Sequence, residues 1–217
     1  MPSVQSRIFL KYLSSVELKT LRDVFDAYMT SYFGAWLNNQ NTSGNKKFII
    51  AFTARLAMSM NNIESFFEIY SDGRLISIVR DPKNWFPSAL RHDPVKYGDI
   101  RSALGLWHES TQAMIRNKEK FGERVCIIKF EDLVSKTESV MYHLANFLGI
   151  QFDRILLTPT FNKFPIRANT SFEMEEAGIL NSTLTRYKIL KAEELEIIDK
   201  MTEDIYSMIL KETPEFE

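Results

Sequence analysis

The chain has 217 residues, 45% apolar and 25% charged, which fits a globular protein of about one domain with a sizeable core. Lys and Arg total 27 against 28 for Asp and Glu, and the resulting net charge of −1 argues against a polybasic nucleic-acid or membrane-surface protein. The single cysteine, Cys126, excludes an internal disulfide framework and a cysteine-based zinc site. The longest apolar run, Phe48 to Phe52, is too short to cross a bilayer, and the N-terminus has only Ile8-Phe9-Leu10, so no signal peptide is expected. Three N-x-Ser/Thr triplets, at Asn41, Asn169 and Asn181, are read as chance. These features predict a soluble, cytoplasmic protein.

No repeat or Pro/Gly-rich linker divides the chain, so residues 1–217 read as one domain, with a helical segment over 1–44. Leu18, Leu21, Phe25, Tyr28, Met29, Tyr32, Phe33 and Trp36 recur at helical spacing after a cap at Ser14 or Ser15. Phe48–Phe52 reads as a buried strand. Asn61 or Asn62 would cap a helix carrying Ile63, Phe66, Phe67 and Tyr70. Leu75–Val79 is a second apolar, β-branched run, and Asp81 before Pro82 is a strong helix start. A further amphipathic helix runs from Ile100 to about Gly122, and a third strand from Val125 to Phe130. Ser135 and Glu138 suggest a capping box for a helix that ends at Gly149. After an irregular stretch, helices over 179–190 and 192–211 close the chain. Trp107 and Tyr142 read as core.

Short continuous apolar strands alternating with helices predict an α/β fold whose parallel sheet is buried on both faces and flanked by helices. Ligands in such sheets bind beyond the carboxyl ends of the strands. Those ends are Thr53-Ala54-Arg55, Arg80-Asp81-Pro82 and Phe130-Glu131-Asp132. Arg80 ends one strand, and Ser88 follows within two turns of the next helix. An Arg fork, a Ser hydroxyl and a helix start together suit a phosphate. The same residues also suit a surface ion pair and a small packing position. Arg55 could hold an anion or be an ordinary surface charge. Glu173, Glu175 and Glu176 read as a solvated helix start, with no metal expected.

Leu75 to Pro82, with Trp85 and Ser88-Ala89 behind it, resembles the 3′-phosphate-binding segment of sulfotransferases that use 3′-phosphoadenosine 5′-phosphosulfate (PAPS). Lys129 to Leu133 is similar to that family's aromatic-Glu-Asp-Leu segment, and Asn146 to Ile150 to the end of the following helix. Asn169-Thr170-Ser171-Phe172, with Met174 beyond, resembles the Thr-Ser-Phe element. These segments lie in family order from about residue 45 onward. The resemblance implies a P-loop nucleotide-kinase-like sulfotransferase fold and transfer of a sulfuryl group from PAPS to an acceptor hydroxyl or amine. It implies that Arg80 and Ser88 hold the 3′-phosphate, and that Thr170, Ser171 and Phe172 contact the adenine end, Phe172 by stacking. The acceptor would be a small molecule or a carbohydrate, with no metal required.

Two departures qualify the resemblance. The family's first strand and its glycine-rich phosphate loop have no counterpart; the first glycines are Gly34 and Gly44. The resemblance places the missing strand in the sheet interior. Where cytosolic members carry a catalytic His, this chain has Thr53-Ala54-Arg55, and His92, His108 and His143 match no motif. This chain by itself is therefore expected to be marginally stable and to bind nucleotide without transferring sulfate. The alternative reading is a non-catalytic remnant or nucleotide-binding module of the same fold.

Overall fold

The computed structural model describes residues 4–35, 48–53, 56–161, 164–165, 178–179 and 181–217. The chain divides into two compact units, residues 1–54 with 64–72 and residues 55–63 with 73–217.

In the first unit, α1 (Val4–Leu13) packs on α2 (Leu21–Gly34). The cap of α2 is Thr20, not Ser14 or Ser15. Its hydroxyl accepts from the Asp23 amide while the Asp23 carboxylate accepts from the Thr20 amide, a reciprocal capping box. Leu18 therefore lies outside the helix. Phe9 meets Tyr28 edge-on at 5.6 Å. Arg22 pairs with Asp72 at 2.8 Å and lies over the Tyr70 ring, whose hydroxyl donates to Asp26. Phe48–Phe52 is not a strand: it has no regular structure, and Ile50 and Phe52 are 81% and 96% exposed. A short apolar run becomes a strand only when another strand supplies its ladder. None pairs with it among the described residues.

In the second unit, β1 (Leu75–Val79) and β2 (Val125–Lys129) form a parallel pair, with Leu75 opposite Val125 and Val79 opposite Lys129. Between them run α4 (Pro82–His92), the one-turn α5 (Pro94–Tyr97) and α6 (Ile100–Phe121), the crossover that a parallel pair requires. The helix α3 (Met60–Ile69), which belongs to the second unit up to Ile63 and to the first from Glu64, precedes β1. Ser59 caps it, not Asn61 or Asn62, by accepting from the Asn62 amide. The expectation of strands buried on both faces holds for β2, whose first four residues are buried. On β1 it fails: Ser77 and Val79 are buried, whereas Ile76 and Ile78 are exposed. β1 therefore shows the period-2 burial of a sheet with one covered face.

A short helix not foreseen from sequence, α7 (Phe130–Ser135), follows β2 directly. It displaces the expected capping box, because the Ser135 hydroxyl donates back to the Glu131 carbonyl and α8 (Thr137–Leu148) starts without a side-chain cap. Gly149 ends α8 at φ 67°, the left-handed conformation that glycine adopts most cheaply. A two-residue hairpin, β3 (Thr160–Phe161) with β4 (Phe164–Pro165), comes next. The segment Asn181–Ile189 is 3-10 helix, kinked at Thr185, and α9 (Ala192–Leu210) packs on α6. Phe86, Ala103, Leu104 and Ile198 form one core cluster; Cys126, Ile128, Val140 and Leu144 form another. Trp107 is buried as expected, but Tyr142 is 56% exposed.

Candidate functional site

The end of β1 and the start of α4 position the site. Asp81 caps α4 by accepting from the Lys83 amide, and Pro82 occupies the first turn, where no amide proton is needed. The chain therefore leaves β1 at Arg80 and re-enters regular structure two residues later. Ser88 lies two turns along the same helix. The indole of Trp107 donates to the Arg80 carbonyl at 3.1 Å and fixes the backbone from which the guanidinium departs.

The Arg80 side chain is held on several sides. Its Nη1 donates to Ser88 Oγ at 2.9 Å, and its Nη2 to the Thr183 carbonyl at 2.7 Å. The Phe130 ring lies against the guanidinium, 4.5 Å from centroid to carbon, a cation–π contact. A second guanidinium reaches the same hydroxyl: Arg186 Nη1 also donates to Ser88 Oγ. Ser88 in turn donates to the Asn84 carbonyl at 3.4 Å, so its oxygen takes two cationic donors.

Electrostatics matches this crowding. Burial pushes the Arg80 pKa down to about 10, with the facing Arg186 charge adding to the effect; Glu131 and Asp81 oppose it. Arg186 is lowered too, by burial and then by Arg91. Arg80 is still protonated at neutral pH, so two positive groups share one neutral oxygen in a half-buried place. Glu131 lies close by. Its Oε1 accepts from the Asp81 amide at 3.2 Å, and burial raises its pKa. Its Oε2 and the Arg80 Nε are buried without a hydrogen-bond partner among the described residues. Asp132, the next residue, pairs with Lys129 at 2.7 Å.

An anion would relieve this arrangement. A phosphate oxygen set accepts from two guanidinium forks and a hydroxyl at once, and charge-assisted bonds of this type are the strong ones. A cavity of about 350 Å³ lies beside the start of α4 and is lined by Asp81, Lys83, Asp199, Thr202, Glu203 and Tyr206. Lys83 is already paired with Asp199 at 2.6 Å, and the three carboxylates make that cavity unsuited to phosphate. No group of three His, Cys, Asp or Glu able to hold a metal occurs among the described residues. No helix among them is long and apolar enough to cross a membrane.

Of the residues singled out from sequence, Arg80 and Ser88 come together in direct contact. Thr170, Ser171 and Phe172, with Asn169, Met174 and the three glutamates behind them, lie outside the described residues, as does Arg55. His108 is partly buried on α6, and the His143 imidazole faces the Cys126 thiol at 3.6 Å. Sequence reasoning missed Arg186, the Thr183 carbonyl, Phe130 as a platform and Asn84. Arg186 sits in an ordinary polar stretch, Ser182-Thr183-Leu184-Thr185-Arg186, with no local signal of its role. It is 98 residues from Ser88.

The profile described as "Sulfotransferase family" matches residues 4–154. That stretch contains Arg80 and Ser88 but not Arg186. Among solved structures the chain is similar to one titled "Sulfotransferase Domain from the Curacin Biosynthetic Pathway", with a TM-score of 0.57 and 22% identity. The alignment covers 75% of this chain and 62% of that one, so the chain spans less than two thirds of that domain's length. At this identity the likeness speaks for the fold, which agrees with the parallel β1–β2 pair and its helical crossover. No curated protein matches the chain.

Proposed function

The chain belongs to the sulfotransferase family, and from that premise we propose that it binds PAPS and serves transfer of its sulfuryl group to a hydroxyl or amine of a small-molecule or carbohydrate acceptor. The observation that carries this reading is the convergence of Arg80 and Arg186 on the Ser88 hydroxyl. A 3′-phosphate placed there would replace a neutral oxygen shared by two cations with a dianion, which both charges favour. The nucleotide has the chemistry the site lacks: a phosphate monoester at one end and a flat base at the other. Thr170, Ser171 and Phe172, by resemblance, would take the base, with Phe172 as its stacking platform.

In the transfer step the acceptor oxygen or nitrogen attacks sulfur. The bond from sulfur to the 5′-phosphate oxygen breaks in line, and 3′-phosphoadenosine 5′-phosphate (PAP) leaves. The acceptor gives up its proton to solvent or to a general base. Arg80, Ser88 and Arg186 would act at the far end of the donor, holding it by a group that does not react. Such remote binding energy orients the reacting end. No metal enters this scheme.

Equilibrium binding of sulfur-labelled PAPS tests the reading. The labelled donor should be retained by the chain and displaced by PAP at concentrations where adenosine 5′-phosphate (AMP) displaces little. Equal displacement by the two nucleotides would refute a 3′-phosphate site. Retention without transfer is expected of this chain by itself, because the family's phosphate loop has no counterpart in it. Transfer restored by supplying an upstream strand and loop would favour the enzyme. Its continued absence would favour the nucleotide-binding module suggested by Thr53-Ala54-Arg55 standing where cytosolic members carry a His.

A further inference from the structure

We propose that Asn84 is a positioning residue for the anion site, acting through the strap Asn181–Ile189 that delivers Arg186 and the Thr183 carbonyl. The inference rests on the 3′-phosphate reading of Arg80, Ser88 and Arg186. Asn84 is only 4% exposed, an unusual degree of burial for an amide side chain on the first turn of a helix. Its side chain has a specific partner, since Oδ1 accepts from the Tyr187 amide at 3.2 Å. Its carbonyl accepts from the Ser88 hydroxyl. One residue thus touches both halves of the site: the helix that carries Ser88 and the strap that carries Arg186.

The strap needs such a tie. It contains no buried residue, and a kink at Thr185 (φ −118°, ψ 17°) interrupts its 3-10 geometry. Hydrophobic packing therefore contributes little to its placement, and 3-10 hydrogen bonds are poorly aligned. Its contacts with the site are polar: Arg80 to the Thr183 carbonyl, Arg186 to Ser88, and the Tyr187 amide to Asn84. The first two involve the groups that a phosphate would engage. The third does not, so it persists whether or not an anion is bound. The Tyr187 amide belongs to the peptide unit that follows the Arg186 Cα. Fixing that unit fixes the direction in which the Arg186 side chain leaves the backbone. Without it, Arg186 would have to be ordered at the moment of binding, at an entropic cost to affinity.

A double-mutant cycle on the ratio of PAP to AMP affinity separates this role from general damage to α4. Asn84→Ala should lower the ratio about tenfold, the change expected for losing one hydrogen bond that positions a charged group. Arg186→Ala should lower it by at least as much, and adding Asn84→Ala to Arg186→Ala should lower it little further. Hydrogen exchange at the Tyr187 amide should quicken in Asn84→Ala. Asn84→Ser, whose hydroxyl is too short to reach the strap, supplies the same comparisons if the alanine variant does not fold. An equal loss in both backgrounds, or no loss with the Tyr187 amide released, would overturn the role of Asn84. If Arg80→Ala and Arg186→Ala leave the ratio unchanged, the 3′-phosphate reading fails first and Asn84 falls with it. If they abolish it while Asn84 proves additive, only the positioning role is refuted.

Discussion

Replacing Arg80 by alanine removes the donor that the site is built around. Arg80 gives one hydrogen bond to Ser88 and one to the Thr183 carbonyl, both to neutral oxygens. A phosphate dianion would turn these into charge-assisted bonds, and losing such a group costs about 1.5–3 kcal/mol, roughly 10- to 150-fold in affinity. The cost of burying the guanidinium, visible in a pKa pushed down to about 10, is already present without ligand and does not reduce this figure. Ser88→Ala removes a neutral hydroxyl and should cost less, about 0.5–1.5 kcal/mol. Calorimetric titration with PAP and with AMP reads the effect directly. Both variants should lose PAP affinity and keep their affinity for AMP. Equal losses for the two nucleotides would mean that Arg80 supports the fold around the nucleotide and does not touch the 3′-phosphate.

Phe172→Ala should weaken PAP and AMP alike, by about 1–3 kcal/mol, and Phe172→Tyr should change little; a large drop in melting temperature with unchanged binding would place Phe172 in the core instead. Burial raises the Glu131 pKa, so the folded chain holds that proton more tightly than the unfolded chain and the carboxylate costs stability once pH exceeds the ordinary Glu range. Glu131→Gln, which keeps an acceptor for the Asp81 amide, should therefore raise the melting temperature at pH 7, and the gain should fade as pH falls toward about 4. A lower melting temperature at pH 7 would show that the charge is needed to offset Arg80. Cys126 is 5% exposed and burial raises its thiol pKa, so alkylation at pH 8 should be on the order of 10² slower than in urea; labelling at the free-thiol rate would contradict its burial.

What could be read from sequence follows the range of the interactions involved. The β1–α4 junction was legible because its causes are local: an apolar run, an Asp cap, a Pro in the first turn and a Ser two turns on. The stop at Gly149 is local in the same way. Phe48–Phe52 has a strand's composition but lacks a partner among the described residues, and no local pattern reports a missing partner. Ser135 and Glu138 have capping-box spacing, yet Ser135 is the last residue of α7 and its hydroxyl donates to that helix's own Glu131 carbonyl. Half of the proposed anion site was invisible for a related reason. Arg186, Thr183 and Asn84 meet only because the chain returns to α4 about a hundred residues later.

In the function proposed above, Arg80, Arg186 and Ser88 together hold a phosphate monoester. A crystal structure of the chain with PAP tests it most directly. The 3′-phosphate is expected between the two guanidinium groups, within hydrogen-bond distance of the Ser88 hydroxyl, with Asn84 still bonded to the Tyr187 amide. PAP bound with its 3′-phosphate elsewhere, and Ser88 still shared by the two arginines, would contradict the claim.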